Sequence, residues 1–182
     1  LLPLLLGCKN RIGYGSPPLS LLLSHAVKWN SKIHEVESTL DLLRAAGLKI
    51  EDTSLEAWLS EKEKSDVLEL VPELKSKKLK VLFHAAAAHP DKTYPLKLWA
   101  ELISALKAKF DIEAFFTGSE QDLPLYKELE QLSGVSAVNA AGKLSLRQSM
   151  ALLSCMDLSI CTDSGPAHLS AASGTPTLAL FG

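Results

Sequence analysis

The sequence predicts an α/β protein in which residues 79–182 form a doubly wound parallel sheet. Two observations carry that expectation. Strand-like and helix-like stretches alternate from Leu79 to Leu180 in a β-α-β-α-β-α-β-α-β order. The chain also closes on a strand–turn–helix–strand junction, in which the apolar run Leu158-Ser159-Ile160-Cys161 stops at the polar turn Asp163-Ser164-Gly165-Pro166. A helix of small residues follows to Gly174, and a second apolar strand begins after Pro176. Such a junction aims free backbone N–H groups and the positive end of a helix dipole at one point, a ready site for a phosphate or diphosphate.

Taken in order, Leu79-Lys80-Val81-Leu82-Phe83 reads as the first strand of this sheet. From Pro95 to Phe110, Trp99, Leu102, Ile103, Leu106 and Phe110 recur at helical spacing. Ile112-Glu113-Ala114-Phe115-Phe116 is the next strand, ended by Thr117-Gly118-Ser119. Leu123, Tyr126, Leu129 and Leu132 mark a second helix, and a weak strand lies near Ala137-Val138. Ser145-Leu146-Arg147-Gln148 has the spacing of a capping box and opens a third helix, with Leu146, Met150 and Leu153 expected inward.

Residues 1–50 differ. They hold a helix end, one convincing strand at Arg11-Ile12-Gly13-Tyr14, a loop with Pro17-Pro18, and a helix around Ile33–Ala46 that stops at Gly47. Residues 51–78 carry the charged run Glu61-Lys62-Glu63-Lys64-Ser65-Asp66 and are expected to be a partly helical linker between two lobes. The opening Leu1-Leu2-Pro3-Leu4-Leu5-Leu6 is too short to span a bilayer, which takes ~20 residues, and has no basic flank of a signal peptide. It reads as the inside of a helix in a longer protein, and the closing Phe181-Gly182 likewise reads as a cut end.

Composition narrows the function. At 182 residues with 47% hydrophobic content, the chain can bury a core. A net charge of −2 leaves no basic excess to neutralise nucleic-acid phosphates. Cys8, Cys155 and Cys161 form no Cys-x-x-Cys pair and read as small hydrophobes in a reducing cytosol. His84 and His89 lack the spacing or acidic neighbours of a metal site, so no metal is expected. No Gly-x-Gly-x-x-Gly follows a strand, which argues against a dinucleotide domain.

Ligands of open parallel sheets bind at the carboxyl ends of the strands, where three loops fall here. The first runs from His84 to Pro95 and carries Lys92, which could meet a diphosphate as a point charge. The second is Thr117-Gly118-Ser119-Glu120, where Glu120 could accept from ribose hydroxyls or simply favour a helix start. The third is Asp163-Ser164-Gly165, whose bland alternative is a helix cap. His168, in the first turns of the following helix, is either a packed helical histidine or a ligand contact.

The pattern Asp163-Ser164-Gly165-x-x-His168-x-x-Ala171-Ala172-x-Gly174-x-Pro176, ending in Leu180-Phe181-Gly182, resembles the signature of glycosyltransferase family 9, the heptosyltransferases of lipopolysaccharide core assembly. Lys92-Thr93-Tyr94-Pro95-x-x-x-Trp99, Thr117-Gly118-Ser119-x-x-Asp122 and Ala140-Ala141-Gly142-Lys143-Leu144-Ser145-Leu146 are similar to its further segments, in order. Arg11-Ile12-Gly13-Tyr14 and His34-Glu35-Val36-Glu37 resemble elements near the end of its N-terminal lobe. The resemblance implies a GT-B architecture of two Rossmann-like lobes. Residues 1–50 would be the end of an incomplete acceptor-side lobe, 51–78 the interlobe linker, and 79–182 the nucleotide-sugar lobe, itself truncated at its end.

It further implies inverting, metal-independent transfer of a sugar, a heptose from ADP-heptose as substrate, to a lipid-linked core saccharide, with no cofactor. The location implied is cytoplasmic, at the inner face of the membrane where the acceptor lies. Carried over residue by residue, Lys92 would bind donor phosphate. Ser164 and Gly165 would offer N–H groups to the diphosphate, and Asp163 would sit against the donor sugar or cap the helix. His168 would support the donor, Glu120 would reach the ribose, and Leu144 would lie under the base. The family's catalytic Asp is expected upstream of these residues, leaving the catalytic residue unknown here and this stretch inactive alone. Ala86 and Ala87 stand where the family often has hydroxyl residues. That departure keeps a non-catalytic nucleotide-sugar binding paralogue open as an alternative, beside another GT-B enzyme such as a nucleotide-sugar epimerase.

Overall fold

The structure, a computed structural model, describes residues 2–87 and 89–181, with the backbone alone at Pro90. Leu1, Ala88 and Gly182, which fall in the segments singled out above, lie outside the described residues. The chain divides into two compact units, Leu1–Ser54 and Leu55–Gly182.

The smaller unit holds α1 (Leu2–Leu5), β1 (Ile12–Tyr14), β2 (His25–Val27) and α2 (Glu35–Ala45). β1 and β2 pair in parallel, with Ile12 opposite His25 and Tyr14 opposite Val27. The sequence shows only the first of these strands, because the three residues of β2 begin with His25 and carry a single β-branched side chain. α2 starts where the His34 ring accepts from the Val36 N–H, and Glu35 and Glu37 favour its positive end.

The larger unit opens with α3 (Glu61–Leu70), within the stretch expected as a linker. Ser60 and Glu63 form a reciprocal capping box that fixes its start. Val67 of α3 and Val71 and Leu74 just after it are buried in the sheet's core. The charged run conceals this because the first six residues of α3 are all polar or charged, and Val67 is its one buried residue. Arg147 reaches across to pair with Glu63 and donates to the Trp58 carbonyl at 2.8 Å, which pins the segment before α3 as well.

The sheet follows: β3 (Leu79–His84), α4 (Leu96–Lys109), β4 (Ile112–Phe116), α5 (Leu123–Ser133), β5 (Val138–Asn139), α6 (Leu146–Ser154), β6 (Leu158–Thr162), α7 (Gly165–Ala172) and β7 (Thr177–Leu180). All five strands are parallel in the order β5-β4-β3-β6-β7. Successive side chains enter opposite layers, as the two-residue period of a strand demands. Phe83, Phe116 and Ile160 pack with Trp99, Ile103, Tyr126 and Leu129 on the α4–α5 side. Leu82, Phe115 and Cys161 pack with Val67, Leu152 and Leu153 on the other. A sheet covered on both faces explains the unbroken apolar runs.

The expected α6 capping box is present, with Ser145 and Gln148 satisfying each other's backbone N–H groups. Of the residues expected inward, Leu153 is buried and Met150 half-buried, and only Leu146 departs. Leu146 is exposed, and Ala151, Leu152 and Leu153 carry the burial. Leu146 is the first helical residue, and the stripe turns inward only in later turns. For the same reason Phe110 and Leu132, at the far ends of their stripes, are exposed.

Candidate functional site

The strand order reverses between β3 and β6, which makes their carboxyl ends the topological switch point of the sheet. The loops after both strands meet there. Thr162, the last residue of β6, is buried and donates through Oγ1 to the Ala86 carbonyl at 2.6 Å, tying one loop to the other. Beyond Thr162, the Asp163 N–H donates to the Leu180 carbonyl at 3.2 Å, and the chain turns into α7 at Ser164. In the first loop, a short helical turn over Pro90–Lys92 presents the Lys92 side chain. Lys92 Nζ lies 2.6 Å from Asp163 Oδ2, so two residues 71 positions apart are joined across the switch point.

The start of α7 leaves specific amides for a ligand. Pro166 has no N–H, and the Ala167 N–H donates to the Ser164 carbonyl at 3.1 Å. The N–H groups of Ser164 and Gly165 have no partner among the described residues. Ser164 turns its hydroxyl back to the Thr162 carbonyl at 3.1 Å rather than capping the helix, so the cap alternative does not describe its side chain. A Cβ at Gly165 would meet no protein atom within 4 Å, and the φ there is not positive. Neither packing nor backbone conformation therefore calls for glycine at 165; the missing side chain leaves open space beside the amides.

The loop after β4 is held from behind. Tyr126 donates its hydroxyl to the Thr117 carbonyl at 2.7 Å, and His84 Nδ1 lies 2.9 Å from the same oxygen. The arrangement that satisfies both has the His84 Nδ1–H and the Tyr126 O–H donating to the two lone pairs of that carbonyl. Burial pushes the His84 pKa down and that of Tyr126 up, so both are neutral near pH 7. His84, Tyr126 and Thr162 thus position the loops, and sequence reasoning assigned them no such role. The available signal was a polar residue closing an apolar strand, at His84 and at Thr162.

Glu120 is exposed and follows that turn, where Ser119 and Asp122 cap each other. Its Cα would lie 2.9 Å from a Cβ at Gly142, where φ is +71°. Glycine at 142 therefore lets the segment before α6 close on Glu120, and its N–H donates to the Gly118 carbonyl at 2.9 Å. Leu144 lies further along this segment. It shares an apolar slot of about 310 Å³ with Thr117, Gly118, Leu153, Gly165 and Pro166. The structure thus brings Leu144 to Gly165, and Lys92 to Asp163. His168 is exposed on α7 and, like Glu120, makes no side-chain hydrogen bond among the described residues, so the packed-histidine alternative does not describe it. Ala86 and Ala87 line a separate opening of about 410 Å³ beside Thr93, Tyr94 and Asp122.

A larger cavity, about 590 Å³, runs along the β5 edge between Leu70–Glu73 and Ser136–Ala140. It includes Lys143 and Leu144 but neither the Lys92 loop nor the start of α7. No group of three or more His, Cys, Asp or Glu side chains is placed to hold a metal among the described residues. No helix among them is long and apolar enough to cross a membrane.

Five parallel strands covered on both faces, with loops gathered at the switch point, define a Rossmann-like α/β lobe of the GT-B kind. The family model described as glycosyltransferase family 9 (heptosyltransferase) matches residues 1–182, and the chain belongs to that family. It is 32% identical over 135 residues to lipopolysaccharide heptosyltransferase 1 of Campylobacter coli, covering 72% of this chain and 37% of that protein. A lipopolysaccharide core heptosyltransferase of Haemophilus influenzae is 29% identical over 103 residues, covering 56% of this chain and 29% of the relative. The matches thus span about a third of the length of these curated relatives. Among solved structures, a family 9 glycosyl transferase from Veillonella parvula superposes with a TM-score of 0.81 at 20% identity, over 94% of this chain and 50% of the other. ADP-heptose heptosyltransferase II of E. coli gives 0.75 at 24% identity, over 99% and 58%. At these identities the structures speak for the fold.

Proposed function

We propose that residues 55–182 form the donor-binding lobe of a heptosyltransferase that moves a heptose from ADP-heptose to a lipopolysaccharide core saccharide. The observation that carries this reading is the Lys92–Asp163 pair across the switch point, beside the amides of Ser164 and Gly165. A diphosphate seated there receives a cation from one side and backbone donors with a helix dipole from the other. Leu144 in its apolar slot lies under the base, Glu120 reaches the ribose, and His168 supports the donor.

In transfer, an acceptor hydroxyl oxygen attacks the anomeric carbon as the bond to the phosphate oxygen breaks, and the hydroxyl proton passes to a general base. The nucleoside diphosphate leaves with the electron pair, and the anomeric centre inverts. Lys92 and the α7 amides stabilise the charge gathering on that leaving group, with neither metal nor cofactor required. Asp163 shares Lys92 with the incoming phosphates and faces the donor sugar. We assign no general base among these residues. The acceptor places the protein at the cytoplasmic face of the membrane.

Calorimetric titration with ADP, UDP and GDP tests the reading. Saturable binding of ADP is expected, and Lys92→Ala should weaken it by about 1.5–3 kcal/mol, the worth of a hydrogen bond to a charged group. Undiminished affinity in Lys92→Ala would remove Lys92 from the site. A second reading, a binding paralogue without turnover, rests on Ala86 and Ala87, which carry methyl groups where the family resemblance implies hydroxyl residues. It replaces the first if ADP binds as expected but a longer form of the protein, supplied with ADP-heptose and core acceptor, releases no ADP.

A further inference from the structure

Two helices that reach the switch point, α6 and α7, share a brace that the donor-site reading does not use. Residues 55–60 are neither helix nor strand and lead into α3. The Ala57 N–H donates to the carbonyl of Ala172, the last residue of α7, at 2.8 Å. The next carbonyl, that of Trp58, accepts from Arg147, the second residue of α6, at 2.8 Å. The same guanidinium engages both carboxylate oxygens of Glu63, in the first turn of α3. Leu59, between these fastenings, packs against the core layer that also receives Leu144 and Leu169. Residues 57–63 are thus tied at one point to α7 and at others to α6.

What they brace is the groove between those two helices. The apolar slot of about 310 Å³ is walled by Leu146, Ser149 and Leu153 of α6 and by Pro166 and Leu169 of α7, and Leu144 joins it. Ser154 and Cys155 follow Leu153 directly and line a second hollow, about 300 Å³, together with Ala57 and Leu59. The brace therefore closes over the groove just beyond the slot. A single exposed ion pair would add little here. Arg147 instead makes a bidentate contact to a Glu63 side chain only 25% exposed, and a further bond to a carbonyl, a geometry that fixes position as well as adding energy.

We propose that Arg147 is a positioning residue of the donor slot. By clamping residues 57–63 to the start of α6, it fixes α6 against α7 and keeps Leu144, three residues before it, in place beneath the nucleotide base. This role rests on the donor-site reading. It is exerted on the base end alone, because the diphosphate end is held by Lys92 and by the first amides of α7, at the opposite end of that helix from Ala172.

The test is calorimetric titration of the whole chain with ADP and with inorganic pyrophosphate, in the wild type, Arg147→Gln, Glu63→Gln and the double variant. Glu63→Gln removes the charge but keeps the α3 capping box, which glutamine serves equally. Each single variant should bind ADP about fivefold more weakly, the low end of usual coupling between sites, and the double variant no more weakly than either. Pyrophosphate affinity should not change, a split that general loosening of the fold would not produce. Alkylation of the half-buried Cys155 thiol in the hollow under the brace, read by mass spectrometry, gives the reciprocal measurement. ADP should slow it in the wild type, since whatever the brace does for ADP, ADP does for the brace, and both substitutions should speed it. ADP affinity that both variants leave intact, an equal loss of pyrophosphate affinity, or Cys155 alkylation indifferent to ADP would each overturn the proposal. A wild type that binds no ADP would undo the donor-site reading, and the role of Arg147 with it.

Discussion

The two units of this chain solve the problem of burial very differently. In the larger, Leu82, Phe83, Trp99, Phe115, Phe116, Tyr126 and Leu152 are all fully shielded from solvent, in two layers on either side of one sheet. In the smaller, Ser38 is the one buried side chain among the described residues. Apolar burial is the main favourable term of folding, so these regions differ in what can hold them. The same contrast separates their tryptophans, with Trp99 wholly inside and Trp29 half in solvent. A core residue supports a fold, whereas a half-exposed aromatic held against one neighbour is free to meet a ligand.

The sharpest way to break this comparison is to separate the units. Residues 55–182 alone should unfold cooperatively on heating, as followed by circular dichroism, whereas residues 1–54 alone should show no cooperative transition. A cooperative transition in the smaller piece would mean that its burial is underestimated. Next in size is Trp99→Ala, which empties a fully packed position and should cost about 3–5 kcal/mol in urea denaturation. Trp29→Ala should stay within about 1 kcal/mol in the same assay, since Trp29 is half-exposed and packs edge-on against Tyr14.

How much of this was legible in the sequence follows the same division. The larger sheet was readable because buried parallel strands give unbroken apolar runs and because Ser145 and Gln148 announce a helix start directly. The pattern of residues 163–182 likewise pointed to the family. The smaller unit was harder: β2 is three residues long and two of its side chains are exposed, so no period could mark it. Within the site, Lys92, Asp163, Ser164 and Gly165 could be selected as types, but that Lys92 pairs with Asp163 depends on strand order, which a local pattern does not contain. His84 and Tyr126 act on the Thr117 carbonyl from residues 42 positions apart, and the role of each shows only once they share a partner.

Two smaller effects sharpen the account of the larger unit. Gly142→Ala places a Cβ 2.9 Å from the Glu120 Cα at a φ of +71°. It should destabilise by about 1–3 kcal/mol in denaturant titration, the usual cost of a left-handed non-glycine residue and a tight contact. The effect of Arg147→Gln should depend on pH. Arg147, and then the Ser60 N–H, hold the Glu63 carboxyl down from 4.5 to about 2. A carboxylate so lowered adds its full stabilisation above pH 4.5 and loses it as pH falls through 2. The gap in melting temperature between the wild type and Arg147→Gln should therefore be widest above that range and close toward its lower end.

The central claim is that the donor nucleotide sits at the switch point between β3 and β6, and amide chemical-shift mapping with ADP tests it most directly. The account predicts shifts at Gly118, Leu144, Ser164 and Gly165, diminished by Lys92→Ala. Shifts gathered instead at Leu70, Val71 and Ser136–Asn139, along the larger cavity at the β5 edge, would contradict it.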